Sequence, residues 1–254
     1  MADPFIRFRG VSKAFNGRPV LAGLDLEVAR GETLVIIGRS GGGKSVLLKH
    51  LIGLLRPDAG SILVDGRDIV PLDEEAMAAV RVRFGMVFQG AALFDSLTVE
   101  DNVGFALRRQ GRPEAEVRRI VEERLAEVGL PGAGPRKPAE LSGGMRKRVG
   151  LARALAVNPE AVLYDEPTTG LDPVMADAIN DLIVETRERL GVTSIVVTHD
   201  MTSAYKVGHR IAMLYEGRVR ATGTPDEIRA STDPVVAQFI AGRAAGPIDV
   251  RSLA

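Results

Sequence analysis

Glycine, lysine and serine stand at Gly38-Arg39-Ser40-Gly41-Gly42-Gly43-Lys44-Ser45 in the spacing G-x-x-x-x-G-K-S, a pattern suited to gripping phosphate. A run of phosphates needs several backbone N–H donors turned toward one point, and glycine lets the chain come that close in conformations other residues resist. Lys44 adds a point charge for the β- and γ-phosphates, and Ser45 a hydroxyl for Mg²⁺. A helix predicted to open at Gly43 adds unpaired N–H groups and the positive end of its dipole. Two acids, Asp165 and Glu166, close the apolar run Ala161-Val162-Leu163-Tyr164. The first suits Mg²⁺, which prefers oxygen ligands and keeps part of its water. The second can orient and deprotonate a water that attacks a γ-phosphate. Ser142-Gly143-Gly144 heads a helical run, Met145–Val157, and offers a hydroxyl, bare N–H groups and a helix dipole a second time. Alone, that segment reads equally well as a helix cap. Together these residues predict binding of a nucleoside triphosphate with Mg²⁺.

The elements around them must hold strand, loop and helix in register. Thr33-Leu34-Val35-Ile36-Ile37 reads as a buried strand leading into the glycine loop, and Val46, Leu47, Leu48, Leu51, Ile52 and Leu55 are spaced to cover one face of a following helix. Asn16-Gly17, Asp65-Gly66 and Glu216-Gly217 each sit between strand-like runs and predict hairpins. From about Glu100 to Val157 the pattern is helical; Val117, Ile120, Val121, Leu125 and Val128 form an apolar stripe in Glu114–Leu130, with Gly129 as its cap. A Gly/Pro-rich connector spans Gly132–Pro138. Ala161–Tyr164 and Ser194–Val197 then flank a helical stretch near Val174–Leu190, which predicts a parallel sheet with a crossover helix. Thr224-Pro225-Asp226-Glu227 is a capping box with proline at the first helical position. The fold class is therefore α/β, with an antiparallel β portion and a helical insertion.

Composition narrows the partners. Lys plus Arg and Asp plus Glu both number 33, so no overall field draws in nucleic acid. Eight Phe, three Tyr and no Trp are a poor basis for a base-stacking surface. The absence of cysteine excludes disulfides and thiolate metal sites and fits a reducing compartment. The opening Met1-Ala2-Asp3-Pro4 places an acid where a signal peptide needs a basic region. No run approaches the about 18 apolar residues of a membrane span.

Gly38–Ser45, Leu141–Met145, Tyr164-Asp165-Glu166-Pro167 and Val197-Thr198-His199-Asp200, in that order, resemble the ATP-binding cassette (ABC) ATPase family over about residues 5–225. The resemblance implies a P-loop NTPase core with a β subdomain over 5–88 and 158–225, a helical subdomain over 90–157, and a C-terminal helix and tail over 226–254. It implies ATP hydrolysis coupled to transport, with ATP and Mg²⁺ as cofactors and two copies arranged head to tail. Gly38, Arg39, Ser40, Gly41, Gly42, Gly43, Lys44, Ser45 and Val46 would hold the ATP, and Phe15 would stack on adenine. Ser45, Gln89 and Asp165 would serve the metal, while Glu166, Gln89 and His199 would serve hydrolysis. Ser142, Gly143 and Gly144 would reach the nucleotide of the other protomer, and Asp172 lies in a loop that crosses to it. His50 and His209 have no motif around them and read as structural or exposed. Met145 stands where most cassettes have glutamine.

Phe88–Leu97, Leu141–Arg148 and the tail Asp233-Pro234 … Gln238-Phe239 … Gly242 … Gly246-Pro247 resemble the ATPases of Mla-type phospholipid transporters, and Met145 is similar to that subgroup's usage. This narrower resemblance implies an integral membrane permease, a small regulatory subunit and a periplasmic lipid-binding subunit of the MCE type. It places the chain on the cytoplasmic face of a bacterial inner membrane, attached through the permease. Gly90-Ala91-Ala92-Leu93-Phe94 is the expected permease contact, against a buried loop as the alternative. The apolar Val235, Val236, Phe239 and Ile240 need a cover, either the other protomer or this chain itself. An amino-acid or metal importer is the competing transporter reading. A non-transport cassette would bring long coiled-coil insertions or a second cassette, and a non-catalytic module would bring damage at Lys44, Asp165 or Glu166; the sequence has neither.

Overall fold

The computed structural model describes residues 4–248; the acidic start at Met1–Asp3 and the last residues of the tail, 249–254, lie outside them. The chain makes two compact units, one of residues up to Pro71 with those from Val196 onward, the other Leu72–Ile195. In chain order the first unit contributes β1 (Ile6–Phe15), β2 (Arg18–Val28), β3 (Thr33–Ile37), α1 (Lys44–Leu51), β4 (Ala59–Val64) and β5 (Arg67–Asp68). The second holds α2 (Glu74–Arg81), β6 (Phe84–Val87), α3 (Val99–Arg109), α4 (Glu114–Glu127), α5 (Gly143–Leu155), β7 (Ala161–Asp165) and α6 (Pro173–Leu190). β8 (Thr193–Val197) runs across the boundary. The chain then returns through α7 (Met201–Val207), β9 (Arg210–Tyr215), β10 (Arg218–Gly223), α8 (Pro225–Arg229) and α9 (Pro234–Ile240).

In the first unit β1 pairs antiparallel with β2 and β4, β4 with β5, and β9 with β10, while β3 runs parallel to β9. The hairpins turn where expected. Asn16 and Gly17 have φ of 50° and 76°, Asp65 and Gly66 53° and 76°, and Glu216 and Gly217 49° and 73°. Two consecutive residues with positive φ give the turn whose twist matches that of the strands it joins. β3 is buried along its whole length, which explains its unbroken apolar spelling; a strand covered on both faces has no polar side to alternate with.

The boundaries differ from the sequence pattern in places, each for a local reason. α1 stops at Leu51 instead of continuing to Leu55, because Gly53 takes φ 66° and its N–H bonds back to the His50 carbonyl at 3.1 Å. The strand after Asp65-Gly66 is short and ends at Asp68, whose carboxylate accepts from the Val70 N–H at 3.0 Å in place of a ladder partner. α5 opens at Gly143, two residues before Met145, since the Ser142 hydroxyl caps it by accepting from the Met145 N–H.

In the second unit α3, α4 and α5 bury Val99, Val103, Leu107, Val117, Ile120, Val121, Leu125 and Val149. β6 and β7 run parallel, pairing Phe84 with Ala161 and Val87 with Tyr164. α8 carries the expected capping box between Thr224 and Glu227. In α9, Val235 and Val236 are buried within the single chain and Phe239 and Ile240 are half-buried. The Gln238 amide donates to the Arg243 and Ile248 carbonyls and accepts from the Ile248 N–H at 2.6 Å, tying the following segment back to the helix. Two of the four residues expected to need a cover therefore find it in their own chain.

Gly85 on β6 sets how closely α5 approaches, for a methyl group there would lie 2.6 Å from the Ala154 carbonyl oxygen. Gly85→Ala should lower stability by about 1–3 kcal/mol, the usual cost of overpacking a tight core. Urea unfolding should show a reduced midpoint at an unchanged slope.

Candidate nucleotide-binding and hydrolytic residues

The glycine loop joins β3 to α1. Gly38, Gly41 and Gly43 have φ of 150°, 75° and 95°, conformations that side chains resist. Packing forbids a side chain as well: a methyl group at Gly38 would overlap the Leu214 carbonyl oxygen of β9, and one at Gly43 would lie 2.9 Å from Val20 Cγ1 of β2. Lys44 is buried, and its ammonium donates to the Gly38 carbonyl at 2.8 Å and the Arg39 carbonyl at 3.0 Å. The loop thus curls around a positive charge at the N-terminus of a helix. Ser45 is half-buried beside it. Left-handed glycines, a held cation and a helix N-terminus fit a run of phosphates.

The first unit also carries Phe15 and His199, two further candidate site residues. Phe15 ends β1 with 41% of its surface exposed, free to stack, and the Lys13 ammonium stands 5.6 Å from its ring centroid. His199 follows β8 and is exposed, between the buried Thr198, whose N–H bonds the Ile36 carbonyl, and Asp200, which caps α7. The remaining histidines are structural, as expected. His50 is buried, its Nδ1 lies 2.6 Å from the Val46 carbonyl, and burial holds its pKa below the ordinary histidine value. The His209 Nδ1 accepts from the Thr33 N–H at 3.0 Å.

In the second unit β7 delivers Asp165 half-buried and Glu166 buried. Glu166 takes φ 51°, a left-handed conformation that a non-glycine residue adopts only when its surroundings impose it. Those surroundings are visible: the Thr169 hydroxyl donates to the Glu166 carboxylate at 3.1 Å, and the Thr169 N–H to its carbonyl at 3.3 Å. Gln89, after β6, is exposed. Ser142 and Gly143 are exposed at the head of α5, and Gly144 is buried where a side chain would overlap the Met175 methyl of α6. Asp172 caps α6 by accepting from the Val174 and Met175 N–H groups, both at 3.0 Å. Phe94 is 46% exposed and stacks against Phe105 with centroids 4.9 Å apart, while Ala91 is buried.

Among the described residues no cluster of three or more acids or histidines exists. The hydroxyl of Ser45 and the carboxylate of Asp165 are each hard oxygen donors of the kind Mg²⁺ prefers. Two residues here escaped the sequence reading as site residues. Lys147 is buried with its ammonium 3.4 Å from the Glu166 carbonyl, and burial lowers its pKa while the Glu166 carboxylate opposes the shift. Arg153 donates to the Ala91 and Ala92 carbonyls, both at 2.7 Å. Their only trace in the sequence is a lysine and an arginine on the apolar side of α5, where a cation needs a partner.

Fold and site together define a P-loop nucleotide hydrolase with a cassette-type helical insertion. The family model for ABC transporters matches residues 21–169, more than half of the chain. The chain is 43% identical over 244 residues to the "Probable ribonucleotide transport ATP-binding protein mkl" of Mycobacterium leprae, covering 96% of this chain and 70% of that protein. It is 44% identical over 225 residues to the "Methionine import ATP-binding protein MetN" of Caulobacter vibrioides, covering 88% and 68%. It is 41% identical over 249 residues to the "Intermembrane phospholipid transport system ATP-binding protein MlaF" of Haemophilus influenzae, covering 98% and 94%. Among solved structures, a dimeric post-hydrolysis state of the ATP-binding cassette MJ0796 bound to ADP and Pi superposes with a TM-score of 0.80 at 32% identity, over 87% of this chain and 98% of that one. The chain belongs to the ABC transporter family. It is the ATP-binding, ATP-hydrolysing subunit of such a transporter.

Proposed function

We propose that the chain powers a phospholipid transporter, working as a head-to-tail homodimer beneath an integral membrane permease. The observation that carries the lipid reading is the end-to-end match to the phospholipid-transport relative, 98% of this chain against 94% of that one. The relatives named for ribonucleotide and methionine transport are as similar in identity but are matched over only 70% and 68% of their lengths. The competing reading, an amino-acid or metal importer, draws its amino-acid half from that methionine relative. A small regulatory subunit and an MCE-type lipid-binding subunit belong to the lipid reading, as does a place on the cytoplasmic face of the inner membrane. Attachment there would be through the permease; no helix among the described residues is long and apolar enough to cross a membrane.

The residues divide the work by chemistry. Gly38–Val46 bind the phosphates through amides, with the Lys44 ammonium set against the β- and γ-oxygens, and Phe15 stacks on the base. Ser45, Asp165 and Gln89 would hold Mg²⁺, which would neutralise charge on the phosphates. Glu166 accepts the proton of the attacking water, and His199 and Gln89 orient the γ-phosphate and that water. Ser142–Gly144 present a second helix N-terminus to the nucleotide of the other protomer, and Asp172 lies at the crossing loop; the dimeric state of the MJ0796 cassette supports that arrangement. Phosphates shared across the interface stabilise the closed dimer over the open one.

Glu166→Gln should bind Mg-ATP and dimerise with it, while turning over about 10²–10⁴-fold more slowly, the usual loss on removing a general base. Lys44→Ala should instead weaken nucleotide binding. Near-normal turnover of the glutamine variant would take Glu166 out of its role.

The exposed Phe94, next to the buried Ala91, is the proposed centre of the permease contact. Phe94→Asp should leave a folded, ATP-binding subunit that no longer co-purifies with the permease. An insoluble product would mark Phe94 as a core residue instead.

Mass spectrometry of the intact complex from solubilised membranes tests the substrate. Phospholipid retained by the complex is the expected result, and a co-purifying binding protein loaded with a soluble solute would overturn the lipid reading.

A further inference from the structure

α5 reaches two loops at once. From its second turn the Lys147 ammonium meets the Glu166 carbonyl at 3.4 Å, and near its end the Arg153 guanidinium forks onto the Ala91 and Ala92 carbonyls at 2.7 Å each. The residues that receive these bonds share one property. Glu166, Ala91 and Ala92 have φ of 51°, 60° and 47°, so each is a non-glycine residue in the left-handed region. Such conformations persist where neighbouring groups over-determine them. Glu166 is the candidate base, and Ala91 lies two residues beyond Gln89.

Lys147 is 8% exposed. A neutral side chain of similar length would fill the same space without the cost of burying an ammonium. The cation is accounted for by what it faces, a carbonyl it hydrogen-bonds and a carboxylate whose charge attracts it. Arg153 is matched to its task by shape, since a planar fork can bond two adjacent carbonyls and a single ammonium holds that geometry poorly.

We infer that α5 braces the hydrolytic loops, with Lys147 a positioning residue for the Glu166 turn and Arg153 a positioning residue for the turn after Gln89. The helix whose first turn carries Ser142–Gly144 thereby also sets the geometry of the base in its own chain. The inference rests on the reading of Glu166 as the base.

Lys147→Met in the full-length ATPase keeps the buried stem and removes the donor and the charge. Its kcat should fall about 10–100-fold, the range seen when an outer partner that orients a functional group is lost. The KM for ATP should stay within about twofold of the parent, since phosphate binding is untouched. Lys147→Arg should recover most of the loss, and nucleotide binding by each variant reports that it is folded. In a Glu166→Gln background, Lys147→Met should add no further loss in single-turnover assays, because its effect passes through the absent carboxylate. Arg153→Met should show the same split between kcat and KM, with Arg153→Lys recovering only part. Parental kcat in Lys147→Met, no recovery in Lys147→Arg, or an undiminished further loss in the Glu166→Gln background would each overturn the inference. Near-normal turnover of Glu166→Gln alone removes the base reading separately, so the two failures are told apart.

Discussion

Backbone amides repel one another when they converge, and the glycine loop has to hold several of them turned to one side. That constraint accounts for much of the first unit. The left-handed glycines at 38, 41 and 43 supply the conformation, but conformation alone would leave a flexible turn. Stiffness comes from packing: Gly38 lies against the Leu214 carbonyl of β9, and Gly43 against Val20 and Leu21 of β2. β9 is fixed in turn by its parallel register with β3, which pairs Ile37 with Met213 just before the loop begins. Lys44 then ties the loop to itself through the Gly38 and Arg39 carbonyls. The loop is therefore preorganised for phosphate, so binding need not order it.

The second unit solves a different problem, keeping a carboxylate buried yet aimed. Glu166 leaves β7 in a left-handed conformation and is held through its carboxylate by Thr169 and through its carbonyl by Thr169 and Lys147. α5 is suited to serve as the reference for that turn because it is fixed at several points. Gly85 admits it against β6, Gly150 admits it against Ala91, and Ser142 caps its start.

Much of this was legible in the residues. Gly38–Ser45 announce phosphate because the chemistry restricts the spelling, and Asp165-Glu166 follow an apolar run that reads as a buried strand. The three hairpins were visible in Asn16-Gly17, Asp65-Gly66 and Glu216-Gly217, because few residue pairs tolerate two successive positive φ angles. Element ends were less legible. The apolar spacing continues through Leu55, yet Gly53 stops α1 early, and Asp68 leaves its strand through a side-chain bond that no periodicity records.

The sequence by itself determined the chemistry: a phosphate cradle, an acidic strand end and the family to which they belong, because each depends on residue type within a few neighbouring positions. Tertiary structure alone decided the partners of residues distant in the chain. Lys147 and Glu166 are nineteen positions apart, and Arg153 and Ala91 sixty-two; a lysine or arginine on a helix carries no mark of the carbonyl it will meet. Likewise the apolar face of α9 could have awaited another chain, yet Val235 and Val236 are buried within their own, and Gln238 ties the following segment back to the helix. Local spelling restricts what a segment can do, whereas burial and hydrogen-bond satisfaction are settled only when the whole chain has chosen its neighbours.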